Sequence, residues 1–516
     1  MKARGQGSPA ARWSGRLVGM TLEKLPSRAE TVIVGAGMAG LAIAHAMREE
    51  GVESALLLEA GPSIGSEHYR ARYSPERAYE MWLHPTTDPH FWRPYVSAND
   101  NWTDIAGLRR CVGGRSLYWH GVVLRLEEAV LDDPMIWPSV IADDLLRSWR
   151  GGASLYERET RRLEEWAGVP LRLEQHPGAA LELEGLEFFP VPRAVRPAEG
   201  SGRWEAYSPL HDGVPEGLVA GARVLGVSVL DGQVRGVRVE GEDGRVEDVV
   251  TDRVVLSAST FENSRLALQA LHEAGASETP ELTGLVDKVA QGIVISVWPE
   301  RLPDLWRRLA ENNVHLVAPC LPGPEGTVGN LFLHTSMTPS GVALFNFYVM
   351  GEQHCGEAGK LRCEPTDDWP WPVVVDGHHD TVDARIIESQ RRLLSTVWET
   401  VRSRFGLEFS ALQFTDPLGV EPLAVSLRNA AALSAPRAPH SYAFRLGNEL
   451  HEAGTLPYGQ MLTSDGELRG VRGLYVSGPA TFPRTGAANP ALTVLALARR
   501  LGAHLAETAR AARQQN

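Results

Sequence analysis

Thr31-Val32-Ile33-Val34-Gly35-Ala36-Gly37-Met38-Ala39-Gly40, followed by Ala55-Leu56-Leu57-Leu58-Glu59, is the stretch whose reading decides the fold. Residues 31–34 are β-branched and apolar, as a buried strand requires, and the run ends at a glycine. Residues 41–50 have helical composition, and 55–58 form a second buried strand closed by Glu59-Ala60-Gly61. Strand, glycine turn, helix and strand in that order predict a Rossmann-like unit that binds a dinucleotide. Gly35 permits the tight turn, Gly37 lets the backbone approach a pyrophosphate, and Gly40 lets the helix pack on the strand. The helix N-terminus then faces the phosphates, and Glu59, 24 residues beyond Gly35, is placed to accept hydrogen bonds from the adenosine ribose. The pattern does not choose between FAD and NAD.

Around this unit the composition is that of an ordinary globular chain. With 516 residues, 43% hydrophobic and 22% charged, it has length for two domains with sizeable cores. A net charge of -13 argues against a nucleic-acid partner, which needs a basic face. It is mildly compatible with a cationic substrate and more often serves solubility alone. Cys111, Cys320, Cys355 and Cys363 make no Cys-x-x-Cys pair and read as reduced thiols, which points to a cytoplasmic protein. Residues 1–28 are polar, carry no secretory signal and are expected to be flexible; Met20 is a second candidate start. No apolar stretch reaches the roughly 20 residues that span a bilayer, and the run after Asn489 is broken by Arg499 and Arg500.

Further along, 67–107 is an aromatic, proline-rich loop region, with Trp82, Trp92, Trp102, His84 and His90. It reads as a cover for cofactor or substrate, or as an irregular loop pinned to the core by aromatic anchors. Gly113-Gly114-Arg115-Ser116 offers a second place of close backbone approach, suited to a phosphate or the edge of a flat ring. Residues 222–256 alternate as short strands with turns at Asp231-Gly232 and Asp243-Gly244, which predicts a β-meander. It leads into a buried strand over 254–260 and a helix starting near Asn263. The stretch 278–444 has strand-like runs at 330–334 and 342–350 and a helical run over 383–405, and reads as a separate sheet-plus-helix domain. The division expected is 29–66, 108–150, 200–277 and 445–516 for the nucleotide-binding domain, and 151–199 with 278–444 for the substrate domain. His378-His379-Asp380 carries metal-ligand types but follows Asp376-Gly377 without ligands at helical spacing, so it reads as a surface turn and no metal is expected. No Gly-x-Ser-x-Gly elbow supports a hydrolase triad.

Near the C-terminus, 473–478 is a strand ending in glycine, a Pro- and Gly-rich loop follows, and Asn489-Pro490 opens a helix. Asn before Pro at the first helical position is also what a plain N-cap looks like. His451-Glu452-Ala453-Gly454-Thr455 lies 38 residues upstream of Asn489.

Taken in order, Gly35-x-Gly37-x-x-Gly40 with Glu59, Gly113-Gly114-x-Ser116, the 254–265 strand and turn, His451-x-x-Gly454-Thr455 and Asn489-Pro490-x-x-Thr493 resemble the glucose-methanol-choline oxidoreductases. The Gly-Gly-x-Ser-x-x-Trp form with Trp119 is similar to the pyranose oxidase branch, and the 38-residue spacing to short-looped members such as cholesterol oxidase. The resemblance implies an α/β fold with a Rossmann-like FAD domain, an inserted meander, and a substrate domain of antiparallel sheet and helices. It implies FAD held by Gly35, Gly37, Gly40, Glu59, Gly113, Gly114, Ser116, Val224, Gly478, Asn489, Pro490 and Thr493. It further implies alcohol oxidation, with His451 as general base and Asn489 holding the substrate oxygen while a hydride leaves the carbon. A base is needed because an alkoxide expels hydride far more readily than an alcohol does.

Three departures qualify the resemblance. Tyr118 stands where some relatives attach FAD through a histidine, so non-covalent FAD is expected. Gly478-Pro479-Ala480 replaces a strand-end acid, and Tyr458 stands where a methionine is usual. The same scaffold also supports a redox-neutral lyase or isomerase, or an idle flavin-binding protein. The substrate, the acceptor (oxygen, a quinone or a carrier protein) and the oligomeric state stay open.

Overall fold

The structure, a computed structural model, describes residues 25–134, 136–173, 178–198, 203–277, 279–356, 359–409, 412–414 and 423–515. Residues 1–24 of the N-terminal segment expected to be flexible lie outside these. Within 25–28, Ser27 accepts the Val250 N–H at 2.9 Å, which ties this stretch to the meander.

The first layer is a five-stranded parallel sheet in the order Leu218–Ala220, Ala55–Glu59, Thr31–Val34, Val254–Leu256, Leu474–Val476. Helices cover a parallel sheet on both faces, so its strands are continuous apolar runs rather than alternating ones. Every residue of Thr31–Val34, Ala55–Glu59 and Val254–Leu256 is buried. Helix Met38–Glu49 packs on helix Ala491–Gln515. The meander Ala222–Leu230, Gln233–Gly241, Val246–Val250 is an antiparallel sheet of its own. Its first turn has positive φ at both Asp231 and Gly232, the twist a two-residue hairpin needs.

The second layer is a seven-stranded antiparallel sheet: His440–Ala443, Lys288–Val297, Ala343–Glu352, Val328–Met337, His315–Pro322, Leu186–Pro190, Leu181–Leu183. One face, with Ile293, Phe345, Phe347, Leu331 and Leu333, makes a dry core against helices Asp304–Glu311 and Thr381–Phe405. The other face carries Lys288, Tyr348, Phe332, Asn346 and His334. Phe332 and Met350 on it join the first layer's hydrophobic cluster. The architecture is thus α/β, a Rossmann-like layer with a meander joined to an antiparallel sheet with helices.

Two sequence expectations need correction. Helix Leu155–Ala167, assigned with 151–199 to the substrate domain, packs on helix Ala491–Gln515, because its buried Glu159 pairs with Arg499 at 2.9 Å. The aromatic region is not an irregular loop throughout. It contains helix Pro75–Leu83, started by a Ser74 cap with Pro at the first turn, and strand Tyr95–Ser97, which pairs in parallel with Val373–Asp376.

Candidate active site

The glycine turn has the form its sequence requires. Gly35 sits at φ 97, and a Cβ on Gly40 would lie 1.9 Å from the Gly35 carbonyl oxygen, so strand and helix meet as closely as backbone allows. A Cβ on Gly37 meets nothing within 4 Å. Gly37 is also the N-cap of helix Met38–Glu49, and no side chain caps the first-turn N–H groups. The second glycine loop closes on the first: Gly113 donates to the Ala36 carbonyl at 2.8 Å, and a Cβ on Gly114 would lie 3.4 Å from the Gly37 Cα. These two backbone loops thus lie in direct contact at Ala36, Gly37, Gly113 and Gly114.

Glu59 is engaged differently from the expectation. Its Oε2 accepts the Ala36 N–H at 3.0 Å and its Oε1 the Gly61 N–H at 2.9 Å, so the carboxylate staples the glycine turn to the end of the second strand. Lone pairs remain for a ribose. Ser116, expected on the cofactor, spends its hydroxyl on the Gly113 carbonyl and on Ser208, at 2.6 and 2.7 Å. Thr493 is fully buried against the Tyr156 hydroxyl at 2.8 Å. The Val224 side chain lies in the core, and its carbonyl accepts from Arg265. Gly478, at φ 101, turns the chain out of strand Leu474–Val476. Asp380 of the His-His-Asp run caps helix Thr381–Phe405 through a capping box with Asp383. No group of three metal-ligating side chains occurs among the described residues.

His451 and Asn489 come together, with Asn489 Nδ2 3.4 Å from His451 Nε2. An amide donor facing Nε2 suits a neutral imidazole with its lone pair on that nitrogen. His451 is held well below the usual histidine range by burial first, then by the cations Lys288 and Arg115. His451 Nδ1 and Asn489 Oδ1 are buried without any protein partner. The helix that follows begins at Ala491, with the Pro490 carbonyl accepting from Val494 at 2.9 Å. Asn489 Oδ1 therefore bonds to no helix N–H and is not the cap that the sequence alone would allow.

What fixes this pair comes from residues that sequence reasoning passed over. Asp287, fully buried, accepts three backbone N–H groups of the turn carrying His451: Gly447 at 2.7, Glu449 at 3.3 and His451 itself at 3.0 Å. Arg115 grips the same turn from the glycine loop, donating to the Leu450 carbonyl at 3.1 Å and forming two 2.7 Å bonds to the Glu452 carboxylate. Leu450 itself lies at φ 59, a left-handed conformation that a β-carbon resists and these clamps maintain. The neighbouring Lys288 serves the other loop. Its Nζ donates to the Thr485 and Gly486 carbonyls at 3.0 and 2.6 Å, while Glu352 pairs with Arg484 and Glu127 accepts the Ala487 N–H. One Asp-Lys dipeptide at the start of strand Lys288–Val297 thus secures both loops. The available signal was two adjacent charges opening a fully buried strand.

Three carboxyls here share an electrostatic debt. Burial pushes Glu59 up to about 7, burial and then Glu452 push Asp287 up to about 7, and burial and then Asp287 push Glu449 up to about 8. A raised acid holds its proton in the fold after the unfolded chain has lost it. Its contribution is therefore full at acidic pH and is lost as pH climbs through 7 to 8. Thermal unfolding is expected at lower temperature near about pH 9 than near about pH 6, and Glu449→Gln should shrink that difference. An unchanged difference in the variant would remove Glu449 from the account.

A family model described as NAD(P)-binding Rossmann-like domain matches residues 33–103, and one described as GMC oxidoreductase matches residues 370–498. Two uncharacterized GMC-type oxidoreductases of Mycobacterium tuberculosis, from strains CDC 1551 / Oshkosh and H37Rv, are each 25% identical over 293 residues. That match covers 51% of this chain and 43% of the relative. Pyridoxine 4-oxidase from Mesorbium loti superposes with TM-score 0.56 at 17% identity, covering 92% of this chain and 99% of its own. A variant formate oxidase from Aspergillus oryzae gives 0.62 at 14%, covering 93% and 98%. By these matches the chain is similar to the GMC oxidoreductases, most directly over residues 370–498.

Proposed function

We propose that this protein is an FAD-dependent oxidoreductase acting on the CH–OH group of an alcohol, with His451 as general base and Asn489 orienting the substrate oxygen. The observation that carries the reading is the facing pair His451 Nε2 and Asn489 Nδ2, with unpartnered buried polar atoms on both side chains. A hydroxyl set between Nε2 and Nδ2 accepts from the Asn489 amide and donates to the imidazole lone pair. The two glycine loops and the bare N-terminus of helix Met38–Glu49 fit the phosphates of FAD, with Glu59 beside the ribose. When bound, the flavin supplies the hydride acceptor.

The chain's own residues account for the rest. Neutral His451 takes the hydroxyl proton on Nε2, and Lys288 and Arg115 lend positive charge to the developing alkoxide from behind the two loops. Asn489 Nδ2 holds the oxygen, so that the carbon presents its hydrogen in one direction. The names of the neighbours pyridoxine 4-oxidase and formate oxidase favour oxygen as acceptor. Four free thiols, Cys111, Cys320, Cys355 and Cys363, favour a reducing compartment.

The test is anaerobic mixing with a panel of primary and secondary alcohols. Bleaching of the flavin by an alcohol supports the reading, whereas turnover of a substrate with no bleaching at any time would replace it with the redox-neutral alternative. Tyr118, in the linking position, stacks on Tyr69 and offers no imidazole, so FAD is expected to be non-covalent. Acid precipitation should leave the yellow colour in solution; colour in the pellet would refute this.

A further inference from the structure

The face of the antiparallel sheet that carries Lys288 runs on to a cluster of histidine and arginine side chains with no acid among them in the described residues. His315 and His334 are cross-strand partners with ring centroids 4.1 Å apart, and His334 is registered with Asn346, two residues from Tyr348 on the same face. Tyr348 stacks on Phe332 at 4.8 Å. Beside the histidines stand two arginines from other parts of the chain. Arg193 has its guanidinium 4.6 Å from the Trp204 ring centroid and Arg70 has its own 4.9 Å from the same ring. His120 links them: its Nε2 lies 3.2 Å from Arg70 Nη2, and its carbonyl accepts from Arg193 Nε at 2.9 Å.

Two guanidinium groups held against one indole repel each other, and proteins ordinarily relieve this with a carboxylate. None does so here. Among the described residues neither Arg70 nor Arg193 has an acidic partner within 4.0 Å, whereas Arg109, Arg484 and Arg499 each have one. Arg70 Nε is buried without any hydrogen-bond partner, and neither terminal nitrogen of Arg193 has a protein acceptor. The histidines cannot supply the missing anion. Burial first, then Arg70 and Arg193, hold His120 far below the usual range; burial first, then His334, Arg193 and Arg70, bring His315 to about 3; burial and Arg193 bring His334 to about 4. Neutral imidazoles add hydrogen-bonding capacity, while the net charge of the cluster stays that of two arginines. Arg193 itself is pushed down to about 10 by burial and then by Arg70. The side chains are half-buried or, for His315, exposed, so the cluster reaches solvent and is not sealed in the core.

We propose that Arg70 and Arg193, set against Trp204 and ringed by His120, His315 and His334, bind a carboxylate or phosphate carried by the substrate at the end remote from the hydroxyl that is oxidised. This deepens the alcohol-oxidation reading and rests on it for the rest of the ligand. The arginine pair is well suited to an oxyanion because guanidinium forks match carboxylate and phosphate geometry. It lies along the sheet from the reacting groups. Asn346 and Glu352 are six residues apart on one strand, about 20 Å, and Glu352 pairs with Lys288 in register below the loop that carries Asn489. A spacer therefore separates anion from hydroxyl, and the Phe332-Tyr348 stack lies under it. The chain's net charge of -13 gives no hint of this local reversal.

Isothermal calorimetry of the flavin-loaded protein with inorganic phosphate and with acetate tests the site without turnover. Heat of binding is expected for one or both at low ionic strength, weakened by added chloride, and about tenfold weaker binding or more in Arg193→Gln and in Arg70→Gln. The comparison of the two anions assigns the site to phosphate or to carboxylate. Anaerobic flavin reduction by ω-hydroxycarboxylates and ω-hydroxyalkyl phosphates of increasing length, each against the n-alkanol of that length, tests the role. The anionic member should be favoured by about tenfold or more at the length that spans the sheet, and the preference should vanish in Arg193→Gln. If that variant does not fold, Arg70→Gln answers the same question. No heat with either anion, or equal affinity in folded variants, overturns the proposal, as does equal reduction by the paired alcohols at every length. Anion binding lost in the variants, with no alcohol bleaching the flavin, would leave the anion site standing and remove the alcohol-oxidation reading. Bleaching by alkanols without anion binding would do the reverse.

Discussion

His451→Ala is expected to slow reduction of the bound flavin by about 10²-fold or more with the flavin still in place, the loss that follows removal of a positioned general base. The imidazole takes no part in the backbone contacts at Gly35, Gly37, Gly113 and Gly114, where the dinucleotide is proposed to bind. Occupancy should therefore survive. Asn489→Asp is the sharper companion. Were Asn489 a helix cap, Asp would serve as well and the change would be silent. Its Oδ1 makes no bond to the helix, and its Nδ2 faces His451, so the variant replaces a donor with an anion. A carboxylate there would repel the alkoxide and raise the pKa of His451, so a loss of several orders of magnitude is expected. The wild-type pH dependence belongs to the same argument. Because burial, Lys288 and Arg115 keep His451 deprotonated well below its ordinary range, the reduction rate should show no acid-side inflection near about pH 6.5. Rapid-mixing measurements of flavin bleaching decide all three, and a near-wild-type rate in either variant would take that residue out of the mechanism.

The parts of this molecule legible in the sequence are those where one residue type is physically obligatory. Gly40 cannot carry a side chain 1.9 Å from a carbonyl oxygen, so the turn between strand and helix announces itself. Strand Lys288–Val297 is buried along its whole length, and strands Val328–Met337 and Ala343–Glu352 extend the apolar runs read at 330–334 and 342–350. What stayed hidden depends on distance along the chain. Asp287 grips His451 across 164 residues and Arg115 grips Glu452 across 337. No local spacing records such a contact. Helix Leu155–Ala167 was placed in the wrong layer for the same reason, since the choice was made by Arg499, 340 residues from Glu159. Helix Pro75–Leu83 is a different case: Ser74-Pro75-Glu76 is a start signal, and the surrounding aromatics masked it. The acidic composition, likewise, averages over the surface and says nothing about Arg70 and Arg193 in one cluster.

Asp287→Ala should lose both stability and rate, and the two losses separate. The carboxylate accepts the N–H groups of Gly447, Glu449 and His451, and its loss leaves buried donors without partners, each worth roughly 1 to 3 kcal/mol. A destabilisation of about 3 kcal/mol or more is expected by chemical denaturation. Arg115 would still hold Leu450 and Glu452, so the turn should stay attached while the His451 backbone loses its anchor. A shift of even about 1 Å in the base costs about 10²-fold in rate. Asp287→Asn distinguishes anchoring from bulk. The native arrangement uses both oxygens, Oδ2 for Gly447 and Glu449 and Oδ1 for His451. An amide can serve only one side and presents an N–H to the other. Asn should therefore recover part of the stability while the rate of flavin reduction stays low, with flavin occupancy unchanged in both variants. If Asn restores rate and stability together, or if Ala reduces flavin as fast as the wild type, Asp287 fills space at the foot of the strand and does not position His451.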